Sequence, residues 1–326
     1  MQNEINSMRV IIPVYNEEGG LPDLIDALSD LKARMVGVSL YVTFVDDHSE
    51  DRSPQLLREA CERFDWFSYL RLSRNHGSHA AIYAGLERCD EDCAAFIASD
   101  LQDPPELLLE MMERCRDRHD VVWGVWADHE QISRLERGMS RLFHALLYYL
   151  SHLEGVPFGA SCALLSRRAY KALISRMGAR PSLVADIPRL GFDVAVVPFV
   201  KPERAHGTSK WTLRKKLLAF ADALVSSTYV PIRTMSYMGM LISVLGFLYA
   251  MVLIVMRLVV QTPVPGWTAT MVVILMIGGL TMLMMGVMGE YLWRTLEEVR
   301  RNSRPIVQEE RNISTEHSDE SGPASR

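Results

Sequence analysis

Short apolar segments alternate with amphipathic helical patterns along the first part of the chain. The apolar segments predict strands at residues 8–14, 40–45, 67–72, 94–99 and 121–125. Between them, apolar residues recur with the period of a helix at residues 21–34, 53–64, 79–89 and 105–116. We expect further short strands near residues 160–165 and 193–199. This alternation is typical of an α/β domain with a mostly parallel, doubly wound sheet and helices on both of its faces.

Two long apolar segments follow, at residues 235–260 and 268–292. Each is long enough to cross the hydrocarbon core of a membrane as a helix, so together they predict a transmembrane hairpin over residues 234–294. The alternative is a buried helical hairpin in a soluble protein, which two such long apolar runs disfavour. Lys and Arg lie on both outer flanks and are absent from the joint, so we expect both ends of the hairpin in the cytoplasm.

The predicted hairpin divides the chain into four parts. Residues 1–210 are enough for one large cytosolic domain, and the first residues lack a signal-peptide pattern. Residues 211–233 are basic at their start and apolar on one face, as in a helix that lies in the membrane interface. Residues 295–326 are rich in Ser, Glu and Pro, which predicts a cytosolic and largely disordered tail.

The composition of the chain and the absence of two nucleotide-binding motifs disfavour several classes of function. The formal net charge is -5, so no basic excess points to a nucleic-acid partner. The five cysteines show no C-x-x-C spacing, and a cytosolic compartment keeps them reduced. The sequence contains neither a G-x-x-x-x-G-K phosphate loop nor a G-x-G-x-x-G fingerprint. An NTPase and a dinucleotide-dependent enzyme therefore both lose support.

Polar residues follow the ends of the first four predicted strands. Ligands of open α/β sheets bind outside the carboxyl ends of the strands, so we expect these residues to face one crevice. Acidic and amide groups that share a crevice suit a site for a ribose, a base and a hard cation. In chain order, these positions are Pro13, Tyr15, Asn16 and Glu17 after the first strand, Asp46 and Asp47 after the second, Arg74, Asn75, His76 and Gly77 after the third, and Asp100, Leu101, Gln102 and Asp103 after the fourth.

Six motifs resemble a known family when they are taken in order: VIIPVYNEE, FVDDHS, RNHGSHAAIYAGLE, SDLQDPPE, ERAHGTSKW and GEYLWRTLEEV. Together they resemble the family 2 glycosyltransferases of the polyprenyl-phosphate type, which include dolichol-phosphate mannose synthase and bacterial undecaprenyl-phosphate glycosyltransferases. The resemblance extends from residue 9 to residue 307 and implies a fold of the GT-A type. It also implies a homo-oligomer, a tetramer in the family.

The resemblance gives roles to the strand-end residues. Asp100 matches the metal-binding Asp of the family and Gln102 a second oxygen ligand, so Mg²⁺ or Mn²⁺ is the implied cofactor. Arg74 is a candidate for contact with the diphosphate, and the alternative is that it pairs with a nearby carboxylate. Asp103 reads instead as part of a structural capping box with the two prolines and the glutamate that follow it. The residues that match the binding site for base and ribose are Pro13, Tyr15, Glu17 and Asp46.

A cationic loop precedes the predicted interfacial helix and matches the family motif R-x-x-G-x-S-K. The resemblance places this loop near the acceptor phosphate, and charge-assisted hydrogen bonds from it can clamp a lipid headgroup. The alternative is that its charges only satisfy the positive-inside preference. With Asp100, Arg204 and Lys210 are the candidate catalytic residues, and Gly207 and Ser209 are candidate binding residues.

The chain departs from the family pattern in four places. Ala98 replaces the first carboxylate of D-A-D-L-Q, and His48 and His76 replace a glycine and an aromatic residue. Residues 159–163 lack an acidic residue and an arginine that relatives often carry. Asp186 is a possible substitute for the missing carboxylate. Glu18 and Asp47 read as solvated turn residues.

The resemblance implies transfer of a sugar from a nucleotide sugar, expected to be UDP-linked, to undecaprenyl phosphate with inversion, at the bacterial inner membrane. A processive polysaccharide synthase is a rival, but its Q-x-x-R-W motif and additional spans are absent from the sequence. A second rival is a catalytically weakened homologue that acts as a binding or assembly partner, as Ala98 and residues 159–163 suggest.

Overall fold

A computed structural model describes residues 5–126, 157, 159–178, 181–200, 266–300 and 305–312, with scattered residues between 237 and 259. The strands are β1 (Ser7–Val14), β2 (Ser39–Asp46), β3 (Phe67–Leu72), β4 (Cys93–Phe96), β5 (Val121–Trp126), β6 (Ala160–Ser166), β7 (Val194–Phe199) and β8 (Val307–Arg311). The helices are α1 (Leu21–Arg34), α2 (Ser53–Arg63), α3 (Ser78–Leu86), α4 (Leu107–Arg116), α5 (Arg167–Ser175), α6 (Leu183–Asp186) and α7 (Trp267–Arg300), and a short 3-10 turn spans Pro188–Leu190.

The described strands form one mixed sheet in the order β7-β5-β6-β4-β1-β2-β3-β8. The pairs β1/β2, β1/β4, β2/β3 and β5/β7 are parallel, and β6 and β8 run antiparallel to their neighbours. The prediction of a mostly parallel sheet is therefore confirmed, and the expected strands near residues 160–165 and 193–199 extend it as β6 and β7.

The sheet buries an apolar core on each face. Along β1, Val10 and Ile12 belong to one core cluster and Ile11 belongs to the other, as the alternation of side chains along a strand requires. Leu24 of α1 packs in the first cluster and Tyr83 of α3 in the second. Helices thus cover both faces, as the sequence pattern predicts for a doubly wound sheet.

Strand β4 ends at Phe96, three residues before its predicted end. The N–H of Ile97 still donates to the carbonyl of Ile11 at 3.3 Å, but the next N–H, from Ala98, donates to the Asp103 carboxylate at 3.1 Å. The backbone therefore leaves the sheet at Ala98, because its hydrogen bond goes to a side chain instead of a neighbouring strand.

The C-terminal strand β8 pairs with β3 and completes one edge of the sheet. The guanidinium of Arg58 on α2 holds it with two hydrogen bonds to Glu309, at 3.0 and 2.7 Å. The Nδ2 of Asn312 donates to the carbonyl of Cys61 at 2.8 Å. The prediction of a largely disordered tail at residues 295–326 missed this strand, whose order comes from pairing with an existing edge and from ion pairs.

The helix α7 and the sheet belong to separate compact units. Helix α7 has 34 residues and carries many exposed apolar side chains, such as Ile274, Met282 and Leu292. Among the residues that the structure describes, no helix meets the combined length and hydropathy expected of a membrane span. All of residues 211–233, and 11 of the 26 residues of the first predicted span, lie outside the described residues.

Candidate active site

The carboxyl ends of β1, β2, β3 and β4 lie at one edge of the sheet, because these four strands are parallel. The register places Val14 beside Asp46 and Asp46 beside Arg71. The N–H of Asp47 extends this ladder by donating to the carbonyl of Val14 at 2.9 Å. The predicted convergence of polar strand ends is therefore built into the sheet.

Asp46 is fully buried at the end of β2 and accepts hydrogen bonds from three groups. The Arg71 Nη1 donates to Oδ2 at 2.5 Å, the Tyr69 hydroxyl donates to the same oxygen at 3.2 Å, and the Ser49 N–H donates to Oδ1 at 2.7 Å. Burial raises the pKa of Tyr69 to about 12, so its hydroxyl keeps the proton that it donates. Asp46 thus holds the carboxyl ends of β2 and β3 together. Its predicted contact with the base and ribose of a nucleotide stays a prediction.

Sequence reasoning missed Tyr69 and Arg71 as site residues. Both lie on β3, two positions apart, so their side chains emerge on the same face of the sheet. An arginine within a mostly apolar strand could have indicated this pair. A cation in a buried strand requires an anionic partner, because an unpaired buried charge is costly. That partner is Asp46.

Asp47 is also buried, with 3% of its surface exposed, so the prediction of a solvated turn residue is wrong for it. Its two carboxylate oxygens accept from the backbone N–H groups of His76 and Gly77, at 2.7 and 2.8 Å. Burial raises the pKa of Asp47, against the effect of these hydrogen bonds. Gly77 has a φ of 88°, which suits a glycine. Asp47 therefore sets the position of the loop that carries Arg74, whose side chain is exposed.

The loop after β1 is fastened to the loop after β2. The N–H of Asn16 donates to the Ser49 hydroxyl at 3.0 Å, and the N–H of Glu17 donates to the Ser53 hydroxyl at 3.0 Å. Ser53 is the first residue of α2, and no side-chain hydrogen bond caps this helix. Glu18 is exposed, as predicted.

These bonds leave part of the Tyr15 ring in contact with solvent, with 37% of the side chain exposed. Pro13 and Glu17, two positions before and after Tyr15 in the chain, are half-buried. An accessible aromatic ring next to a carboxylate suits the recognition of a flat base and a ribose.

The residues after β4 form a tight loop, residues 98–103, which we call the Asp100 loop. The N–H of Gln102 donates to Oδ1 of Asp100 at 3.2 Å. Between them Leu101 has a φ of 57°, a left-handed conformation that a branched side chain seldom adopts and that is common at functional sites. Asp103 is buried, but Leu107 begins α4, so Asp103 does not cap that helix as the sequence predicted.

Within the described part of the chain, no group of three or more His, Cys, Asp or Glu side chains is arranged to hold a metal ion. The Asp100 loop instead offers one carboxylate and one amide oxygen, from Asp100 and Gln102. A hard cation such as Mg²⁺ commonly takes one or two carboxylates from the protein and completes its shell with substrate phosphates and water. The donor set therefore fits a cation that binds together with a nucleoside diphosphate.

His48 and Asp186 show how the chain accommodates its departures from the family. His48 takes a φ of 65° where the family has glycine, and its Nδ1 lies 3.2 Å from the carbonyl of Leu72.

The Asp186 carboxylate accepts from the Tyr83 hydroxyl at 3.0 Å and from the Ser182 N–H at 2.8 Å. Asp186 thus ties α6 to α3, which weakens its candidacy as a substitute for the missing carboxylate.

Arg204, Gly207, Ser209 and Lys210 lie outside the described residues, so their proposed contact with an acceptor phosphate stays a prediction.

Comparison with known proteins identifies the class. The family model described as glycosyl transferase family 2 matches residues 9–174, a range that begins within β1 and contains β2 to β6 and the Asp100 loop. The chain belongs to glycosyl transferase family 2, and it is a glycosyltransferase with an α/β fold of the GT-A kind.

Particular relatives extend the match over nearly the whole chain. An undecaprenyl-phosphate 4-deoxy-4-formamido-L-arabinose transferase of Pseudomonas paraeruginosa is 32% identical over 311 residues, which cover 93% of this chain and 90% of the relative. An uncharacterized glycosyltransferase of Bacillus subtilis, YkcC, is 29% identical over 304 residues, 93% of this chain and 94% of the relative.

Among solved structures, the glucosyl-3-phosphoglycerate synthase of Mycobacterium tuberculosis in complex with phosphoglyceric acid matches with a TM-score of 0.51 and 18% identity. The match covers 68% of this chain and 80% of the synthase. It concerns the fold alone.

Proposed function

We propose that the protein transfers a sugar from a nucleotide sugar, with UDP as the expected carrier, to undecaprenyl phosphate with inversion at the anomeric carbon. The observation that carries the proposal is that the carboxyl ends of β1 to β4 lie at one edge of the sheet, and Tyr15, Glu17, Arg74 and Asp100 are in the loops that follow β1, β3 and β4. The end-to-end match to a transferase named for undecaprenyl phosphate supports the choice of acceptor.

The nucleotide sugar is proposed to bind at the ends of the parallel strands. Tyr15 and Pro13 supply an apolar wall for the base, and Glu17 accepts hydrogen bonds from the ribose. Arg74, which Asp47 positions through the Gly77 N–H, provides positive charge for the diphosphate. This arrangement places each group on a loop that a buried carboxylate or a serine hydroxyl already fixes, which lowers the entropy lost on binding.

Asp100 and Gln102 would hold Mg²⁺ or Mn²⁺. When bound, such an ion stabilises the negative charge of a departing nucleoside diphosphate.

The acceptor is an anion, which simplifies the chemistry. A phosphate oxygen of the lipid forms a bond to the anomeric carbon while the bond from that carbon to the nucleoside diphosphate breaks. The nucleophile needs no strong general base, because it carries no proton that must be removed. Arg204 and Lys210 are proposed to bind the lipid phosphate with Gly207 and Ser209, so positioning and charge stabilisation supply most of the rate.

We further propose attachment to the bacterial inner membrane through an interfacial helix at residues 211–233 and a hairpin at residues 234–294, with both ends in the cytoplasm. Support comes from the apolar pattern of the sequence and from the exposed apolar side chains of α7, since large exposed apolar surfaces mark membrane or protein contacts. Retention of the protein in membranes after an alkaline wash tests the anchor. A homo-oligomer, a tetramer by resemblance, stays a prediction.

One experiment tests the activity. Membranes that contain the protein are incubated with labelled nucleotide sugars and undecaprenyl phosphate, with and without a chelator. The Asp100→Asn variant is compared with Asp26→Asn, a control at an exposed position on α1. We expect a lipid-linked sugar that chelation and Asp100→Asn abolish and Asp26→Asn leaves unchanged.

Product that survives both chelation and Asp100→Asn would remove the metal assignment. The absence of product from every donor would instead favour the rival function, a weakened homologue that acts as a binding partner.

A further inference from the structure

The Asp103 side chain closes the Asp100 loop. Asp103 is 1% exposed, and its Oδ2 accepts from the N–H of Ala98 at 3.1 Å, where the chain leaves the sheet. Its Oδ1 accepts from the hydroxyl of Ser161 on β6 at 2.6 Å. One buried carboxylate therefore joins the start of the loop, the end of the loop and the neighbouring strand.

The Asp103 contacts involve two positions at which the chain departs from the family pattern, Ala98 and residues 159–163. Phe96 pairs with Ala163 across β4 and β6, so continuation of the antiparallel register brings Ala98 opposite Ser161. Ala98 stands where relatives carry a carboxylate, and Ser161 lies within the divergent residues 159–163. Both positions contact the same carboxylate, which links the two departures structurally.

The closed loop holds a strained backbone. Leu101 keeps its positive φ of 57° only if the residues around it are fixed, since this conformation is unfavourable for a residue with a bulky side chain. Asp100 and Gln102 flank Leu101, so the position of their oxygens depends on the same fixation. Without the Asp103 contacts, the Asp100 loop would adopt other conformations as well. Cation binding would then be weaker, because the loop would lose more conformational entropy when the cation binds.

We propose that Asp103 and Ser161 are positioning residues that hold Asp100 and Gln102 ready for a divalent cation bound with a nucleoside diphosphate. Ser161 acts through Asp103, and neither touches the cation. The proposal rests on the proposed function for the identity of the ligand. It differs from a purely structural role for Asp103, because it requires that loss of the Ser161 hydroxyl weaken cation binding in a protein that remains folded.

Mn²⁺ binding to the full-length protein tests the proposal. Free Mn²⁺ is measured by electron paramagnetic resonance in the presence of saturating UDP, for the wild type and for the Ser161→Ala, Ser161→Thr and Asp103→Asn variants. Ser175→Ala is the matched control, because the Ser175 hydroxyl donates to the Ala172 carbonyl on the exposed side of α5. Thermal unfolding and transfer to the lipid are measured on the same samples.

We expect Ser161→Ala to raise the dissociation constant for Mn²⁺ about fivefold, the effect of one hydrogen bond. Ser161→Thr should restore wild-type affinity, because it keeps the hydroxyl, and Ser175→Ala should match the wild type. Asp103→Asn should weaken binding more than Ser161→Ala does. The thermal midpoint of Ser161→Ala should stay within a few degrees of the wild type, since Ser161 is exposed.

Equal Mn²⁺ affinity in the wild type and Ser161→Ala would overturn the proposal, and so would an equal loss in Ser161→Ala and Ser161→Thr. Absence of Mn²⁺ binding in the wild type would overturn it as well. The proposed function fails differently: wild-type protein that binds Mn²⁺ with UDP but yields no lipid-linked sugar would reject the transfer reaction and leave the role of Ser161 standing.

Discussion

The Asp47 carboxylate accepts a hydrogen bond from the backbone N–H of Gly77 at 2.8 Å, and this contact links the end of β2 to the loop after β3. Its other oxygen holds the neighbouring N–H of His76. Two adjacent strand ends therefore move as one body, and the loop that carries Arg74 takes its position from β2.

Replacement of Asp47 by Asn should loosen this link. An amide offers one oxygen to two N–H donors, so one buried donor loses its partner, at a cost of about 1–3 kcal/mol in the free energy of unfolding. We also expect the KM for the nucleotide sugar to rise several-fold. Urea unfolding and steady-state kinetics measure the two effects, with Asp26→Asn as control. Unchanged stability and KM would contradict the assigned role.

His48 should tolerate glycine better than a branched residue. Glycine adopts the φ of 65° without strain but lacks the contact with the Leu72 carbonyl, so we expect His48→Gly to change stability by only about 0.5 kcal/mol. His48→Val should cost about 1–3 kcal/mol, because a β-branched side chain strains this backbone. Chemical unfolding of both variants tests the difference. Equal stability of the two would show that the backbone conformation is not maintained.

Removal of β8 should destabilise the sheet domain and promote association. A chain that ends at Arg304 leaves the β3 edge without its partner strand, and unpaired edges pair with other chains. A chain that ends at Ser314 keeps β8 and is the control. We expect a lower thermal midpoint and more large species in size-exclusion chromatography for the shorter chain only. Identical behaviour of the two chains would argue against a stabilising role for β8.

The contribution of Glu309 should depend on pH. The hydrogen bond from Arg58 and the charge of Arg311 lower the pKa of Glu309 below its ordinary value of 4.5. A lowered pKa in the folded state adds stability above the unfolded value, and this stability is lost as the pH falls through the folded value.

Wild type should therefore have a higher thermal midpoint than Glu309→Gln at pH 7, by the equivalent of about 0.5–1 kcal/mol for a partly exposed pair. The difference should shrink below about pH 4.5, as linkage requires. Glu59→Gln, at an exposed position of α2, is the control. A difference that does not vary with pH would exclude the ion pair as its cause.

The sequence predicts features that depend on local periodicity. The bounds of α1 and β3 match the predicted residues 21–34 and 67–72. Apolar residues recur with the helical period along α1, and β3 is a short, mostly apolar segment. The position of the loops after β1 and β4 at one edge of the sheet was also predictable, since carboxyl ends of parallel strands meet at one edge.

Features that depend on distant partners were not predictable in this way. Ser161 lies 58 residues from Asp103, and only the antiparallel register of β6 brings them together. β8 reads VQEER, which lacks the apolar alternation of an independent strand. β8 is ordered because it pairs with the edge of β3 and because Arg58 binds Glu309. Neither partner can be recognised from the local sequence of β8.

The two strands that flank the predicted membrane segment along the chain, β7 and β8, occupy opposite edges of the sheet. Seven inter-strand spacings of about 4.8 Å separate them, roughly 33 Å in all. A version cut before residue 211 therefore lacks β8 and should show the same loss of stability as the chain that ends at Arg304. It would need β8 supplied as a separate peptide, or a linker of more than about ten extended residues that crosses the width of the sheet.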